Sequence, residues 1–313
     1  MDKIPIGSSP LETSRIAYGC WRLATTGDTK TDLLNARNSI VAAIEAGITF
    51  FDLADIYCNG RAESAFGQFL HEHHELRKKI TIGTKCGIRP ADETTGAPYR
   101  YDSTAEHIVR SCEGSLRRLG VERIDVYQLH RPDWLMEVDE VVKAFQKLEK
   151  QGKVRDFGVS NFLPAQIEIF AKALLKDGEL PIIAHQFECS LLHLAPFTDG
   201  TLDQCVSQNL RPMAWSPLGG GHLGAGPVHL LPSQADYQPT LVVEVLDDIA
   251  AARGATRAAI ALAWLLRHPA GIVPIIGTTN PDRIREAAGA AAIELSREEW
   301  YRLLTAAMGG ALP

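Results

Sequence analysis

Four side chains of different chemistry stand at the ends of short apolar runs in the first half of this 313-residue chain. The run Phe50-Phe51-Asp52-Leu53-Ala54-Asp55-Ile56-Tyr57 delivers an acid and then a phenol, Gly83-Thr84-Lys85-Cys86 an ammonium, and Tyr127-Gln128-Leu129-His130 an imidazole. A histidine alone at a strand end is more often structural, and a lysine alone in an apolar run must find a counter-charge or lose its proton. Together they form a working set. A phenol can hand a proton to an oxygen, but with a pKa near ~10 it is a sluggish donor at neutrality. Lys85 beside Tyr57 would favour the phenolate and lower the phenol pKa, while Asp52 would keep Lys85 charged and aimed. His130 would donate a hydrogen bond to the same oxygen. That is the apparatus for protonating a carbonyl oxygen while its carbon is reduced, and it needs no metal.

These groups can meet only if successive strands end on one rim. Short β-branched or apolar runs alternate with helical patterns along the whole chain, the signature of βα units and a parallel sheet. Eight runs are predicted: Arg15–Tyr18, Thr49–Ala54, Ile80–Cys86, Ile124–His130, Val154–Ser160, Ile182–Glu188, Arg211–Ser216 and Gly271–Gly277. Asp102-Ser103-Thr104 opens a helix over Ala105–Leu119 and Asn161-Phe162-Leu163-Pro164 one over Ala165–Leu175, while Gly120 and Gly152 close two helices. Eight strands with eight helices make a closed (β/α)8 TIM barrel, here expected as one domain over residues 1–313. Outside the minimal plan lie an N-terminal hairpin (residues 3–14), an extra helix over Thr256–His268 and a C-terminal helix from Ser296. Two long loops, Ile88–Tyr101 and Pro217–Pro239, follow strands 3 and 7 at the ends where barrel enzymes put their sites.

Composition narrows the partners. Hydrophobic residues make up 45% of the chain, charged residues 22% and the net charge is −6, with no Lys/Arg-rich run. That excludes the basic footprint of a nucleic-acid binder and points to a small molecule. No signal-peptide pattern opens the chain and no uninterrupted apolar stretch approaches ~20 residues, so a cytoplasmic protein without a membrane partner is expected. Six scattered cysteines form no C-x-x-C pair, which suits free thiols in a reducing compartment. The oligomeric state stays open. Gly219-Gly220-Gly221-His222-Leu223-Gly224 fits G-x-G-x-x-G only formally, because it sits at the seventh strand with no helix opening at its end. His71-Glu72-His73-His74 points its side chains in different directions on a helix, so no metal site is expected. Strand alternation turns Cys86 away from Lys85.

The Asp-Tyr-Lys-His set resembles that of the aldo-keto reductase superfamily, and in particular a bacterial subgroup of oxidoreductases within it. The resemblance also rests on Gly19-Cys20-Trp21-Arg22, on residues Lys153 to Phe162, on Met213-Ala214-Trp215-Ser216-Pro217-Leu218-Gly219-Gly220-Gly221, and on Pro274 to Thr279 with Arg283, Glu286 and Trp300. It covers essentially the whole chain. It implies a barrel that reduces an aldehyde or ketone with a nicotinamide cofactor, with Asp52, Tyr57, Lys85 and His130 as the catalytic tetrad. It further implies that Ser160, Asn161 and Gln186 bind the nicotinamide carboxamide, that Trp215 stacks on the nicotinamide, and that Cys20, Trp21 and Asp52 line the same end. Ser216, Leu218, Gly219, Gly220 and Gly221 would wrap the pyrophosphate through backbone N–H groups, and Gly277, Thr279, Arg283 and Glu286 would hold the adenosine end. Many members of the family carry Lys where this chain has Gly277 and Asn where it has Ala287. Preference for NADP (NADPH) over NAD therefore rests on Arg283 and Thr279. Trp21, Tyr57, Trp134 and the Ile88–Tyr101 loop suggest an apolar or aromatic carbonyl substrate. The alternatives are a cofactor-sensing regulatory module with little turnover and a lyase using Lys85 as an amine.

Overall fold

Eight short β-runs leave sixteen half-satisfied strand edges, and closure into a ring removes all of them. In the computed structural model, which describes residues 1–176 and 180–312, the strands are β1 (Ala17–Gly19), β2 (Phe50–Asp52), β3 (Thr81–Cys86), β4 (Ile124–Leu129), β5 (Val154–Ser160), β6 (Ile182–Glu188), β7 (Arg211–Trp215) and β8 (Val273–Ile276). Each pairs in parallel with the next and β8 closes on β1. All eight predicted runs are present, shortened at β2 and β8 and shifted toward Gly19 at β1, where ladder contacts span only a few residues.

The interior is filled by Ala17, Phe50, Val126, Ala184, Met213, Val273 and Ile275. Ile6, carried by the hairpin of Lys3–Pro5 and Glu12–Ser14, joins this cluster from below. Phe50 takes its place only because β3 has Gly83 beside it, where a Cβ would stand 2.7 Å from the ring's Cζ. The filled lower barrel leaves the C-terminal rim as the place for polar side chains.

Around the strands run α1 (Thr29–Glu45), α2 (Arg61–Glu72), α3 (Ala105–Leu119), α4 (Val138–Lys150), α5 (Pro164–Lys176), α6 (Thr201–Ser207), α7 (Thr240–Arg253), α8 (Arg257–Leu266), α9 (Pro281–Gly289) and α10 (Arg297–Met308). The signals in the sequence act where expected. The Thr104 hydroxyl accepts from the His107 N–H to start α3, and Gly120 ends it in the left-handed conformation. In α4, Val141, Phe145 and Leu148 recur at helical spacing on the buried face, and the Phe145 ring stacks 4.1 Å from Phe157 of β5. The expected extra helix is α8, buried along nearly its whole length. Trp264 of α8 and Trp300 of α10 stack at 5.0 Å and exchange indole-to-carbonyl hydrogen bonds, which docks the C-terminal helix. The Ile88–Tyr101 segment is not a plain loop: Ile88–Arg89 pairs with Arg100–Tyr101 as a small hairpin standing on the rim. No single helix among the described residues is long and apolar enough to cross a membrane.

His185 faces outward from β6, buried in the strand–helix layer with its ring against Phe187. Burial drives its pKa down to about 3, so the folded state resists a proton that the unfolded chain accepts near ~6.5. The associated stability is fully present above about pH 6.5 and is lost as pH falls toward 3, at about 1.4 kcal/mol per pH unit. Denaturant titrations of the wild type and His185→Phe at pH 7.5 and 4.5 should show the variant losing about 3 kcal/mol less on acidification. Equal losses would show that His185 does not set the acid limb.

Candidate active site

Strand register brings the polar side chains together at the upper end of the barrel. Asp52 pairs with Gly83, two residues before Lys85 on the same inward face, while Lys85 pairs with Gln128 and Gln128 with Gly158, so the inward-facing ends of β2 to β5 lie at the top of the apolar filling. Lys85 is fully buried there. Its Nζ donates to Asp52 Oδ1 and Oδ2, each at 2.7 Å, and to the Leu53 carbonyl at 2.8 Å. From across the barrel Gln186 Nε2 donates to Asp52 Oδ1 at 2.8 Å. Burial works against the lysine's charge, but Asp52 and then Tyr57 outweigh it, and the pKa ends above its ordinary value.

Tyr57 arrives by a tight turn between β2 and α2, with Cys58 and Asn59 both left-handed at φ 52° and 55°. This turn sets the ring over Lys85, whose Nζ lies 5.0 Å from the ring centroid. The phenol pKa is pushed up to about 12: burial raises it most, the Lys85 charge lowers it, and Asp52 raises it again. The sequence-based expectation of a net lowering is therefore corrected. Lys85 pulls in the expected direction, but desolvation is larger. His130 is anchored by its N–H on the Cys86 carbonyl at 2.8 Å, and its ring meets Tyr57 edge-on at 5.7 Å. Burial, then Lys85 and Arg131, hold its pKa well below the usual imidazole range. Near neutrality it is an uncharged imidazole, able to donate from one nitrogen.

Behind Tyr57 lies a second polar cluster that sequence reading passed over. Glu63 of α2 is fully buried, accepts from Thr84 Oγ1 at 2.6 Å and from Arg118 Nε at 2.7 Å. Asp55 is lifted to about 7 by burial and then by the Glu63 charge, with Arg118 opposing. A carboxyl that titrates near neutrality therefore stands two residues from Tyr57.

The residues assigned by resemblance to a cofactor form a track on β5 to β8. Asn161, left-handed at φ 61° after β5, donates from Nδ2 to the His130 carbonyl at 3.1 Å and to Ser160 Oγ at 2.8 Å, and accepts from Trp215 Nε1 at 2.9 Å. Trp215 is thereby held at the mouth, half-buried. Ser216 is left-handed too, and its Oγ accepts from the Gly220 N–H. The N–H groups of Gly219 and Gly221 are already used on the carbonyls of Ser216 and Leu218. These glycines are required by the turn: a Cβ on Gly221 would meet the Pro227 carbonyl at 2.6 Å. The following segment is tied down where buried Glu188 accepts from Gln234 Nε2 and the Tyr237 hydroxyl. It passes over Arg283, whose guanidinium lies directly at Gly226 and whose buried Nε has no partner. Thr279 and half-buried Glu286 lie at the start of α9 and in its body. Gly277 leaves room for Arg22, whose Nη1 donates to the Gly277 carbonyl at 3.3 Å. On the other side, Cys20 is buried with its N–H on the Asp52 carbonyl, and Trp21 is half-exposed, 6.3 Å from Tyr57.

Three rim residues had no role in the sequence reading. Gln128 is fully buried beside Lys85, with neither amide atom partnered by protein. Arg22 and Arg131 each lie against an indole, Arg22 at 5.1 Å from Trp21 and Arg131 at 5.7 Å from Trp215. Their signal was available: both arginines directly follow residues singled out for chemistry.

The profile of the Aldo/keto reductase family matches residues 15–306. The chain is 41% identical over 304 residues to a 6-dehydroglucose reductase of Agrobacterium fabrum, covering 96% of this chain and 97% of the relative. It is 40% identical to a 6-dehydroglucose reductase of Novosphingobium aromaticivorans, over 98% of this chain and 96% of that one. It is 35% identical over 313 residues, the full length of both, to the Escherichia coli protein named Oxidoreductase YdhF.

Removing Asp52 leaves an ammonium buried without its counter-ion. Asp52→Asn should cost about 3–5 kcal/mol of unfolding free energy, and adding Lys85→Met should recover part of it, so that the double variant is more stable than the two single losses predict. Strict additivity in denaturant titrations would show that the pair is uncoupled.

Proposed function

This chain belongs to the aldo/keto reductase family and is an oxidoreductase enzyme, and on that premise we propose that it uses NADPH to reduce an aldehyde to an alcohol with Tyr57 as the acid. The observation that carries the reading is the buried Lys85 ammonium, fixed at 2.7 Å from both Asp52 oxygens and 5.0 Å from the Tyr57 ring centroid. A permanent cation under a phenol stabilises the phenolate that remains after proton transfer.

When bound, the nicotinamide cofactor supplies the hydride that the carbonyl carbon receives. Tyr57 gives its hydroxyl proton to the carbonyl oxygen and becomes a phenolate facing Lys85. Burial alone makes the phenol a weaker acid, and the Lys85 charge beside it offsets part of that cost as the proton passes to an oxygen gaining alkoxide character. The neutral His130 donates a hydrogen bond that polarises and orients the same oxygen. Asp52 and the Leu53 carbonyl keep Lys85 in place, and Gln186 restrains Asp52 from the opposite wall.

The residues present fit the cofactor. Asn161 and Trp215 are already linked by a hydrogen bond and would present an indole face and the Ser160 hydroxyl to the nicotinamide. The N–H groups of Gly219 to Gly221 are occupied within their own turn, so the pyrophosphate would rely more on guanidinium groups. Arg22 and Arg283, the latter with a buried unpartnered Nε, suit phosphate oxygens and favour the extra phosphate of NADPH over NADH. The names of the two relatives at about 40% identity make a sugar aldehyde the first substrate to test.

Tyr57→Phe should lower kcat for NADPH-dependent aldehyde reduction by at least ~100-fold while tryptophan quenching by NADPH is nearly unchanged. Retained turnover would take the proton-donor role from Tyr57. Arg283→Met should weaken NADPH binding about tenfold or more and NADH binding several-fold less. In a pH profile of reduction, His130 should give no limb near 6.5, and an inflection near 7 should vanish in Asp55→Asn, since Asp55 is the carboxyl lifted to about 7.

A further inference from the structure

We infer that Arg131, next to the reacting centre, selects substrates carrying hydroxyl or carboxylate oxygens close to the carbonyl, so that the preferred substrate class is an oxygen-rich aldehyde of the sugar type. The inference rests on the reading of Tyr57 and His130 as the groups that hold the carbonyl oxygen.

Arg131 directly follows His130 and is half-buried at the mouth. Its backbone is held on both sides. His130 is bonded to the Cys86 carbonyl and to Asn161 Nδ2, while Asp133 accepts from the N–H groups of Ser103 at 2.8 Å and Leu135 at 3.0 Å. The guanidinium lies 5.7 Å from the Trp215 ring centroid, and its charge is felt by both His130 and Tyr99. Among the described residues it makes no ion pair and no hydrogen bond, whereas Arg77, Arg89, Arg118, Arg253 and Arg257 are each paired with a carboxylate.

That contrast bears on what fills the space above Tyr57. Trp21, Tyr99 and Trp215 taken alone would suit an apolar or aromatic carbonyl. A substrate of that kind would cover a guanidinium without pairing its N–H donors, which is unfavourable. A polyhydroxylated chain fits both features: its C–H faces lie on the indole and phenol rings, and two neighbouring oxygens accept from the planar N–H fork. The same fork would accept a carboxylate, so the two oxygen sources are separated experimentally.

Glyceraldehyde and propanal differ only in two hydroxyls, and succinic semialdehyde and butanal only in a carboxylate. The quantity to read is the ratio of kcat/KM within each pair, with NADPH, for the wild type, Arg131→Met and Arg131→Lys. The wild type should prefer glyceraldehyde over propanal. Arg131→Met should reduce that ratio on the order of tenfold to a hundredfold, mainly through KM. Arg131→Lys should retain more of the carboxylate preference than of the hydroxyl preference, because it keeps the charge and loses the fork. An equal fall for both members of a pair would mark Arg131 as packing for Trp215 and overturn the assignment alone, as would an unchanged ratio. A wild type that reduces none of the four aldehydes would overturn the reductase reading, and this assignment with it.

Discussion

A lysine ammonium sits fully buried inside a closed barrel, and the upper half of the molecule is arranged around keeping it charged. An ammonium in that environment is tolerated only when its donors are matched by acceptors at short range. Lys85 meets the requirement with both oxygens of Asp52 and the carbonyl of Leu53. The condition fixes more than one pair. The Asp52–Gly83 and Lys85–Gln128 registers must hold, because a slip of one residue would turn Lys85 into the strand–helix layer and Asp52 after it. Gly83 serves the same end from below, letting Phe50 fill the barrel directly beneath the charged layer.

Burial and fixed charge then compete at each neighbouring group, with different winners. At Lys85 the carboxylate wins and the cation persists. At Tyr57 desolvation wins over the lysine, leaving a phenol that stays protonated until an oxygen with rising basicity faces it. At His130 burial and two cations act together, and the imidazole is neutral. Asp55 falls between, lifted close to neutrality chiefly by burial, with the Glu63 charge adding to the rise and Arg118 opposing it. Two cations flank the mouth, Arg22 against Trp21 and Arg131 against Trp215, on a chain whose net charge is −6. Net charge describes solubility and partners at a distance, whereas a cleft reports its own few groups.

The rim is held by strain and tethers that the strands do not provide. Cys58, Asn59, Asn161 and Ser216 take left-handed backbone conformations at the exits of β2, β5 and β7. Such conformations persist where surrounding contacts over-determine them. Asn161 shows how: one amide ties the His130 loop, Ser160 and Trp215 together. The long segment after β7 is fastened by Glu188, Gln234 and Tyr237 instead of by secondary structure. Rigid presentation of this kind orients a bound ring or chain without a further ordering cost.

Much of this was legible in the amino-acid order. The period of the apolar runs determined eight strands and a barrel, and Thr104, Gly120 and Ser296 marked helix ends because capping is local. Residue type at strand ends was enough to single out Asp52, Lys85 and His130, since an apolar strand has no structural use for them. The aldo/keto reductase likeness came from motifs spread along the same runs. Other features depend on residues far apart in the chain. Whether Gly219 to Gly221 have free N–H groups was decided by how their turn folds on itself, and the room over Gly277 was taken by Arg22 from another loop. The direction of the Tyr57 shift turned on how deeply the ring is buried. The unpaired state of Arg131 and the orphaned amide of Gln128 are absences of contact, which no local pattern encodes. Periodicity and capping act over a few residues and can be read from sequence. Desolvation and pairing sum over everything that packs nearby, and only the closed barrel determines that sum.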